Sequence, residues 1–383
     1  MCIEQKVTEW RQHIHKHPEF GFEEFETSAM VADLLESFGL EVHRNIGQTG
    51  VVGILKCGDS DRSIGLRADM DALHICEKND FSHASVNEGV MHACGHDGHT
   101  AMLLGAAHEL SKSRNFDGTV YFIFQPGEEH GVGAKAMIAD GLFTRWKIDA
   151  VYAMHNLPGI EEGKFVTRPG SLMASESAFE IEILATGGHA AMPHMGTDPI
   201  VVGSQIVLGI QTLVSRHLSA IHETAVISVT EFKTNGTVNV IPSSVTIKGD
   251  TRSFTDEALA KIEKGIERIV AGHCMAAGVD YKYSFNNSFL STINTAAEAG
   301  YATAAAIALV GEENVNGACE PFTISEDFSF MLRQAPGCYI LVGNGVGECG
   351  GTALHNPFYD FNDRILMRGV GFWQKLVEQQ LNK

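Results

Sequence analysis

The sequence predicts an α/β protein in which a larger domain, built on a mostly parallel sheet covered by helices, is interrupted by a smaller ferredoxin-like α/β lid. Three observations predict it. The chain has 383 residues, more than one hydrophobic core usually serves. Short apolar runs alternate with helical stretches in both terminal parts of the chain. Between them, residues 179–286 follow the order β-α-β-β-α-β, the ferredoxin-like plan.

In the first part, "FEEFETSAMVADLLESFG" has the periodicity of an amphipathic helix and stops at Gly39, a residue that ends helices readily. Strand-like runs follow at "VVGILKC", "SIGLRAD", "TVYFIFQ" and "AVYAMH", with helices beginning at His99 and Gly133 between the later ones. The middle part reads as strand "AFEIEILATGG", helix "DPIVVGSQIVLGIQTLVSRH", strands "AVISVTEFKT" and "NVIPSSVTIKGDTRS", helix "TDEALAKIEKGIERIVAGHCMAAG" and strand "VDYKYSFNN". Alternation resumes near residue 290, with "CYILVGNG" as a late strand. The expected boundaries are 1–176 and 289–383 for the two parts of the larger domain and 177–288 for the lid, which also offers strand edges for pairing with a second copy.

Composition narrows the function. Lys and Arg total 28 against 47 Asp and Glu, a formal charge of −19, which repels phosphate backbones and anionic lipid. Nucleic acid and membrane are therefore excluded as expected partners, and no continuous apolar run approaches the length of a membrane span. The opening "MCIEQKVTEWRQHIHKHPEF" lacks the apolar core of a secretion signal, and the eight cysteines (2, 57, 76, 94, 274, 319, 338 and 349) include no CxxC pair. A cytoplasmic, reducing setting is the expectation.

Functional groups of open α/β sheets gather beyond the carboxyl ends of the strands. Here those ends are crowded. "SIGLRAD" ends in Asp69, "TVYFIFQPGEEH" in Glu128, Glu129 and His130, and "AVYAMHN" in His155; "CYILVGNG" leads to His355, and "MHACGHDGHTAMLLGAA" packs His92, Cys94, His96, Asp97 and His99 before a helix. Singly, each has a plainer explanation as a surface histidine or a solvated carboxylate. Together they form a donor set suited to divalent transition ions, and adjacent glutamates can divide the work of ligand and base. "GVGECG" fits GxGxxG but leads into "TALHNPFYDF" with no helix, His108-Glu109 and His222-Glu223 lack the second histidine of HExxH, and neither a P-loop nor GxSxG occurs.

With these residues the chain resembles the aminoacylase/carboxypeptidase family of co-catalytic metallopeptidases, in its amidohydrolase branch of hippurate, N-acetyldiaminopimelate and indoleacetyl-amino-acid hydrolases. The resemblance runs through "HKHPEFGFEE", "GLRADMDAL", "MHACGHDGHTAMLLGAA", "FQPGEEHGVGAKAMI", "AMHNLPG", "TGGHAAMPHMGTDPI", "NVIP", "GDTRSF", "SEDFSFML" and "LHNPFYDFND", nearly the whole length. It departs at His74, where proline is usual, and at Thr323-Ile324, where a Met-Gly or similar pair is common.

The resemblance implies Cys94, His96, Glu129, His155 and His355 as ligands of two divalent ions (Mn, Zn, Ni or Co), with His92, Asp97 and His99 in supporting hydrogen bonds. It implies Glu128 as general base, Asp69 as a supporting acid that orients a ligand, and His189 as the group that stabilises the tetrahedral oxyanion, in some members from a neighbouring subunit. Asn239 and Arg252 would contact substrate; the plainer reading of Arg252 is a strand arginine paired with an aspartate. The implied reaction is hydrolysis of a small N-acyl amino acid by metal-activated water, in a homodimer or homotetramer. The alternatives are a dipeptidase or carboxypeptidase of the same family, and a non-catalytic metal or ligand binder, against which the Glu128-Glu129 pair argues because a binder needs no base.

Overall fold

A computed structural model describes residues 2–348 and 350–383; Cys349 lies outside the described residues. The chain begins with helices α1 (Ile3–Lys16) and α2 (Phe25–Ser37), then strands β1 (Glu41–Ile46), β2 (Gly50–Cys57) and β3 (Ser63–Asp69). Next come α3 (His96–Ser113), β4 (Gly118–Gln125), α4 (Gly133–Ala139), α5 (Leu142–Arg145), β5 (Ala150–Pro158), β6 (Phe165–Val166) and β7 (Gly170–Met173). The middle holds β8 (Glu176–Leu184), β9 (Gly188–His189), α6 (Pro199–Thr212), β10 (Ala225–Thr234), β11 (Val240–Ile241), β12 (Ser244–Ser253), α7 (Asp256–Ala277) and β13 (Asp280–Phe289). The chain closes with β14 (Thr292–Asn294), α8 (Ala296–Val310), β15 (Val315–Asn316), α9 (Phe328–Met331), β16 (Gly337–Gly345) and α10 (Leu366–Gln380).

The chain divides into two compact units: residues 1–172, 293–321 and 327–383, and residues 173–292 with 322–326. The first is built on an eight-stranded sheet in the order β1-β2-β4-β3-β5-β16-β6-β15. Its centre, β4-β3-β5-β16, is parallel throughout, while β1, β2 and β6 join antiparallel. Parallel strands need both faces covered, and β3 is accordingly buried at all seven positions. The core includes Leu103, Leu104, Phe122, Phe124, Tyr152 and Trp373. Because the four central strands run the same way, their carboxyl ends share one edge, where the crowded motifs lie.

The second unit is a four-stranded antiparallel sheet, β10-β12-β8-β13, with α6 and α7 packed on it, the β-α-β-β-α-β plan. Strand β12 alternates half-buried and buried residues along its length, with Val245 and Ile247 meeting Ile206, Ile262 and Ile266.

Local chemistry moved several expected elements. Helix α3 starts at His96, three residues early, because Gly95 takes the left-handed conformation (φ +96°) and turns the chain into the helix. A Cβ there would also stand 2.2 Å from Asn156 Oδ1, so glycine is required twice over. The run "NVIPSSVTIKGDTRS" splits into β11 and β12 around Pro242, which has no N–H for a ladder. The N-terminal segment, not assigned from sequence, is α1. Among the described residues, the helical stretch Pro199–His217 is long and apolar enough by length and composition to cross a membrane, which corrects the expectation that nothing approached that length. Val202, Ile206 and Ile210 on it are buried in the second unit's core.

Candidate metal centre

The five sequence-predicted ligands come together in the first unit. Cys94, His96 and His155 form one group and Cys94, Glu129 and His355 another, the ligand atoms within each lying within 4.8 Å of one another. Glu128 joins a third group with His96 and Glu129. Cys94 Sγ is 3.4 Å from His155 Nε2, and His355 Nε2 is 3.4 Å from Glu129 Oε1.

Four of the five ligands are aimed by a partner outside the set. His155 Nδ1–H donates to the carbonyl of Asn156, leaving Nε2 for the centre; His155 lies inside β5 rather than beyond it. His96 Nδ1–H donates to the Asp71 carbonyl at 2.9 Å, turning Nε2 inward. A hydrogen bond on one ring nitrogen sets the tautomer and orientation of the other, as metal-binding histidines require. Glu129 hangs from Asp71, whose Oδ2 accepts the Glu129 N–H at 3.0 Å. His355 adopts a left-handed backbone (φ +62°), a strained choice for a side chain of this kind, and its N–H donates to the Ala93 carbonyl at 2.8 Å.

Whether these residues fit a cation is answered by their unpaired atoms. His96 Nε2 and Glu129 Oε1 are buried and have no hydrogen-bond partner, a costly arrangement unless something else satisfies them. Thiol, imidazole and carboxylate form a suitable donor set for a divalent transition ion. Charge agrees. Burial, with Glu129, Glu128 and Asp69 nearby, pushes the Cys94 thiol well above its usual range. Burial would lower His96, but Asp69, Asp71 and Glu129 outweigh it and push the ring up to about 10. Burial and neighbouring His99 keep His155 well below its usual value, in the neutral form that binds metal.

Behind the ligands is a network of buried carboxylates. Asp69 accepts His99 Nδ1–H at 2.6 Å and Arg67 Nη1–H at 2.7 Å. Burial opposes its charge, yet His96, Arg67 and His99 hold Asp69 well below the usual carboxylate range. Arg67 also donates to Asp327 Oδ1 at 3.0 Å and to Gln125 Oε1 at 2.9 Å. The Asp327 N–H in turn donates to Glu128 Oε1 at 3.2 Å. Glu24, fully buried, accepts the Gly127 N–H at 2.9 Å and the Thr49 hydroxyl at 2.6 Å, and burial with Asp71 nearby raises its carboxyl to about 7.

Asp97 does not face the ligands. It accepts His15 Nδ1–H at 2.8 Å and pairs with Arg11, while His15 Nε2–H reaches Glu77 at 3.2 Å. His92 is buried with both ring nitrogens unpartnered, and burial lowers it to about 4. Of the three supporting residues expected near Cys94, only His99 makes a hydrogen bond inside the network behind the ligands.

His189, Asn239 and Arg252 belong to the second unit. His189 pairs with Val240 across the short β9–β11 ladder, and the Ala190 N–H donates to the Asn239 carbonyl, so the first two are neighbours. The Ala191 N–H donates to His189 Nδ1 at 3.1 Å, which leaves the proton of a neutral ring on Nε2. Arg252 donates through Nε to Asp250 and through Nη1 to Glu176 and Ser325.

Asp71, Glu24 and Asp327 had no expected role although each lies in a quoted motif. Asp71 carried a usable signal: two residues beyond Asp69 at the end of a buried strand, it shares that residue's side of the chain.

The model of peptidase family M20/M25/M40 matches residues 65–379. The chain is 40% identical over 371 residues to a hippurate hydrolase of Campylobacter jejuni, covering 97% of this chain and 95% of the relative. It is 41% identical over 295 residues to an N-acyl-L-amino acid amidohydrolase of Geobacillus stearothermophilus, covering 76% and 79%. Among solved structures, the Bacillus subtilis YXEP protein, described as a dinuclear metal binding peptidase from the M20 family, superposes with a TM-score of 0.86 at 29% identity, covering 99% of this chain and 98% of that one.

Proposed function

The chain belongs to peptidase family M20/M25/M40, and from that premise we propose that it is a metal-dependent amidohydrolase which splits N-acyl amino acids into a carboxylic acid and a free amino acid. One observation carries the reading: Glu128, buried and held by the Asp327 N–H, stands beside a ligand set with unsatisfied inward atoms. A binding protein needs the ligands but has no use for the adjacent carboxylate.

Cys94, His96, Glu129, His155 and His355 would hold two divalent ions, a number supported by two ligand groups that share Cys94. Bound there, the ions supply Lewis acidity and a lowered water pKa. Glu128 takes the proton of the attacking water and returns it to the leaving amine. Asp69 fixes His99 and keeps negative charge behind His96. His189, with its proton on Nε2, donates to the oxyanion as it forms, from its own subunit or a neighbouring one. Asn239 and the guanidinium of Arg252 bind the substrate's amino-acid portion. Exposed Val226 and Phe232 on edge strand β10 support pairing with a second copy.

The test is to strip the protein with chelator, restore Mn, Zn, Co or Ni singly, and follow amino-acid release from hippurate, N-acetyl amino acids and free dipeptides. Metal-restored release from the acyl substrates is expected. Clear preference for dipeptides would replace the reading with a dipeptidase, and no release despite bound metal would make the chain a binder.

A further inference from the structure

Glu24 occupies the N-cap position of α2, yet its carboxylate caps nothing there. The first amides of that helix are taken by Glu19, which accepts the N–H groups of Glu26 at 2.9 Å and Thr27 at 2.8 Å. Glu24 is turned away instead, fully buried, onto the Thr49 hydroxyl and the Gly127 N–H. Gly127 is left-handed (φ +57°) and immediately precedes the 3-10 turn Glu128–His130. That turn is therefore suspended at two amides from two buried carboxylates, Gly127 from Glu24 and Glu129 from Asp71. Burying a carboxylate is costly, and capping, the usual reason for an acid at this position, is already provided by Glu19.

We propose that Glu24, with Thr49 behind it, is a positioning residue that sets the direction of Glu128 through the Gly127 amide. This rests on the reading of Glu128 as general base. An offset of the order of 1 Å in a reacting group can cost about 100-fold in rate, so a peptide plane tied at 2.9 Å is a sufficient lever.

The experiment compares Glu24→Met, which removes the acceptor of the Gly127 N–H, with Thr49→Val, Glu128→Gln and the double variant Glu24→Met/Glu128→Gln, all metal-loaded, with hippurate or the best N-acetyl amino acid as substrate. The expected result for Glu24→Met is a kcat lowered at least about tenfold, with KM within about twofold and metal per subunit unchanged. Thr49→Val, which leaves the Gly127 bond in place, should lower kcat less and in the same direction. The double variant should be no slower than Glu128→Gln alone, because a residue acting only through Glu128 has nothing left to position. The proposal is overturned if Glu24→Met keeps kcat within about twofold, if its loss is explained wholly by lost metal, or if the double variant falls well below Glu128→Gln. Should Glu24→Met fail to fold, Thr49→Val decides by the same readings. Full turnover by Glu128→Gln would instead sink the assignment of the base, a result that the Glu24 variants cannot imitate.

Discussion

The candidate residues of the two units are held in opposite ways. In the first unit, Cys94, His96, Glu128 and His155 are all nearly or fully buried; backbone carbonyls direct His96 and His155, and the Asp327 N–H holds Glu128. In the second, His189 sits exposed on a two-residue ladder with exposed Asn239 just before its other strand, held by a few backbone hydrogen bonds. Charge explains the contrast. Groups that gather a cation carry net negative charge out of water and need partners to remain ionised, whereas a neutral imidazole donor needs only its tautomer set. Substitutions in the first region should therefore spread through shared partners, and those in the second should stay local.

The largest effect tests the centre of the buried region. Glu128→Gln should cut turnover about 10²- to 10⁴-fold at unchanged metal content, read by initial rates alongside elemental analysis. His189→Ala should cost about 10²- to 10³-fold in kcat, the range for losing one oxyanion donor, while melting temperature and metal content stay at the parent's values. A large drop in stability there would erase the contrast between the regions. Asp71→Asn comes next: the Asp71 carboxylate faces His96 Nδ1 through Oδ1 at 3.2 Å and accepts the Glu129 N–H through Oδ2, and an amide has one acceptor oxygen for the two, so metal affinity by equilibrium dialysis should fall about 10- to 100-fold. Unaltered affinity would mean that the ligands orient themselves.

The smallest effect concerns stability and pH. Burial opposes the charge on His15, but Asp97 and Glu77 raise its pKa from 6.5 to about 9. A folded-state pKa above the unfolded one means that the stabilisation is complete below about pH 6.5 and is lost as pH climbs through about 9. Asp97 is shifted downward, so its share is present above the ordinary carboxylate range and lost in acid. The melting temperature should thus decline by a few degrees between pH 6.5 and 9, and His15→Asn should flatten that decline. An unchanged slope would show that His15 is not the group responsible.

Much of the site was legible because its chemistry is local. Cys94 and His96 lie two residues apart at the start of a helix, Glu128 and Glu129 are adjacent just beyond an apolar strand, and His155 lies within one. What stayed hidden was the long-range pairing. Glu24 reaches Gly127 across 103 residues, Asp71 reaches Glu129 across 58, and Asp327 reaches Glu128 across 199. A glutamate after a loop and before a helix reads as a cap, and the cap was made by Glu19. Asp97 looked like a neighbour of the ligands because His96 precedes it, but one step along a helix turns a side chain by about 100°, toward α1 and His15.

The sequence by itself determined the alternation that builds the parallel sheet, the inserted β-α-β-β-α-β order and the crowding of metal-capable donors, from which the family resemblance picked out the five candidate ligands. Periodicity and donor type are properties of short segments. Only the tertiary structure decided which carboxylate receives which amide, and so which residues aim the ligands and the base. A hydrogen bond between distant segments exists only once the sheet has brought the strand ends to one edge, and no local pattern encodes that meeting.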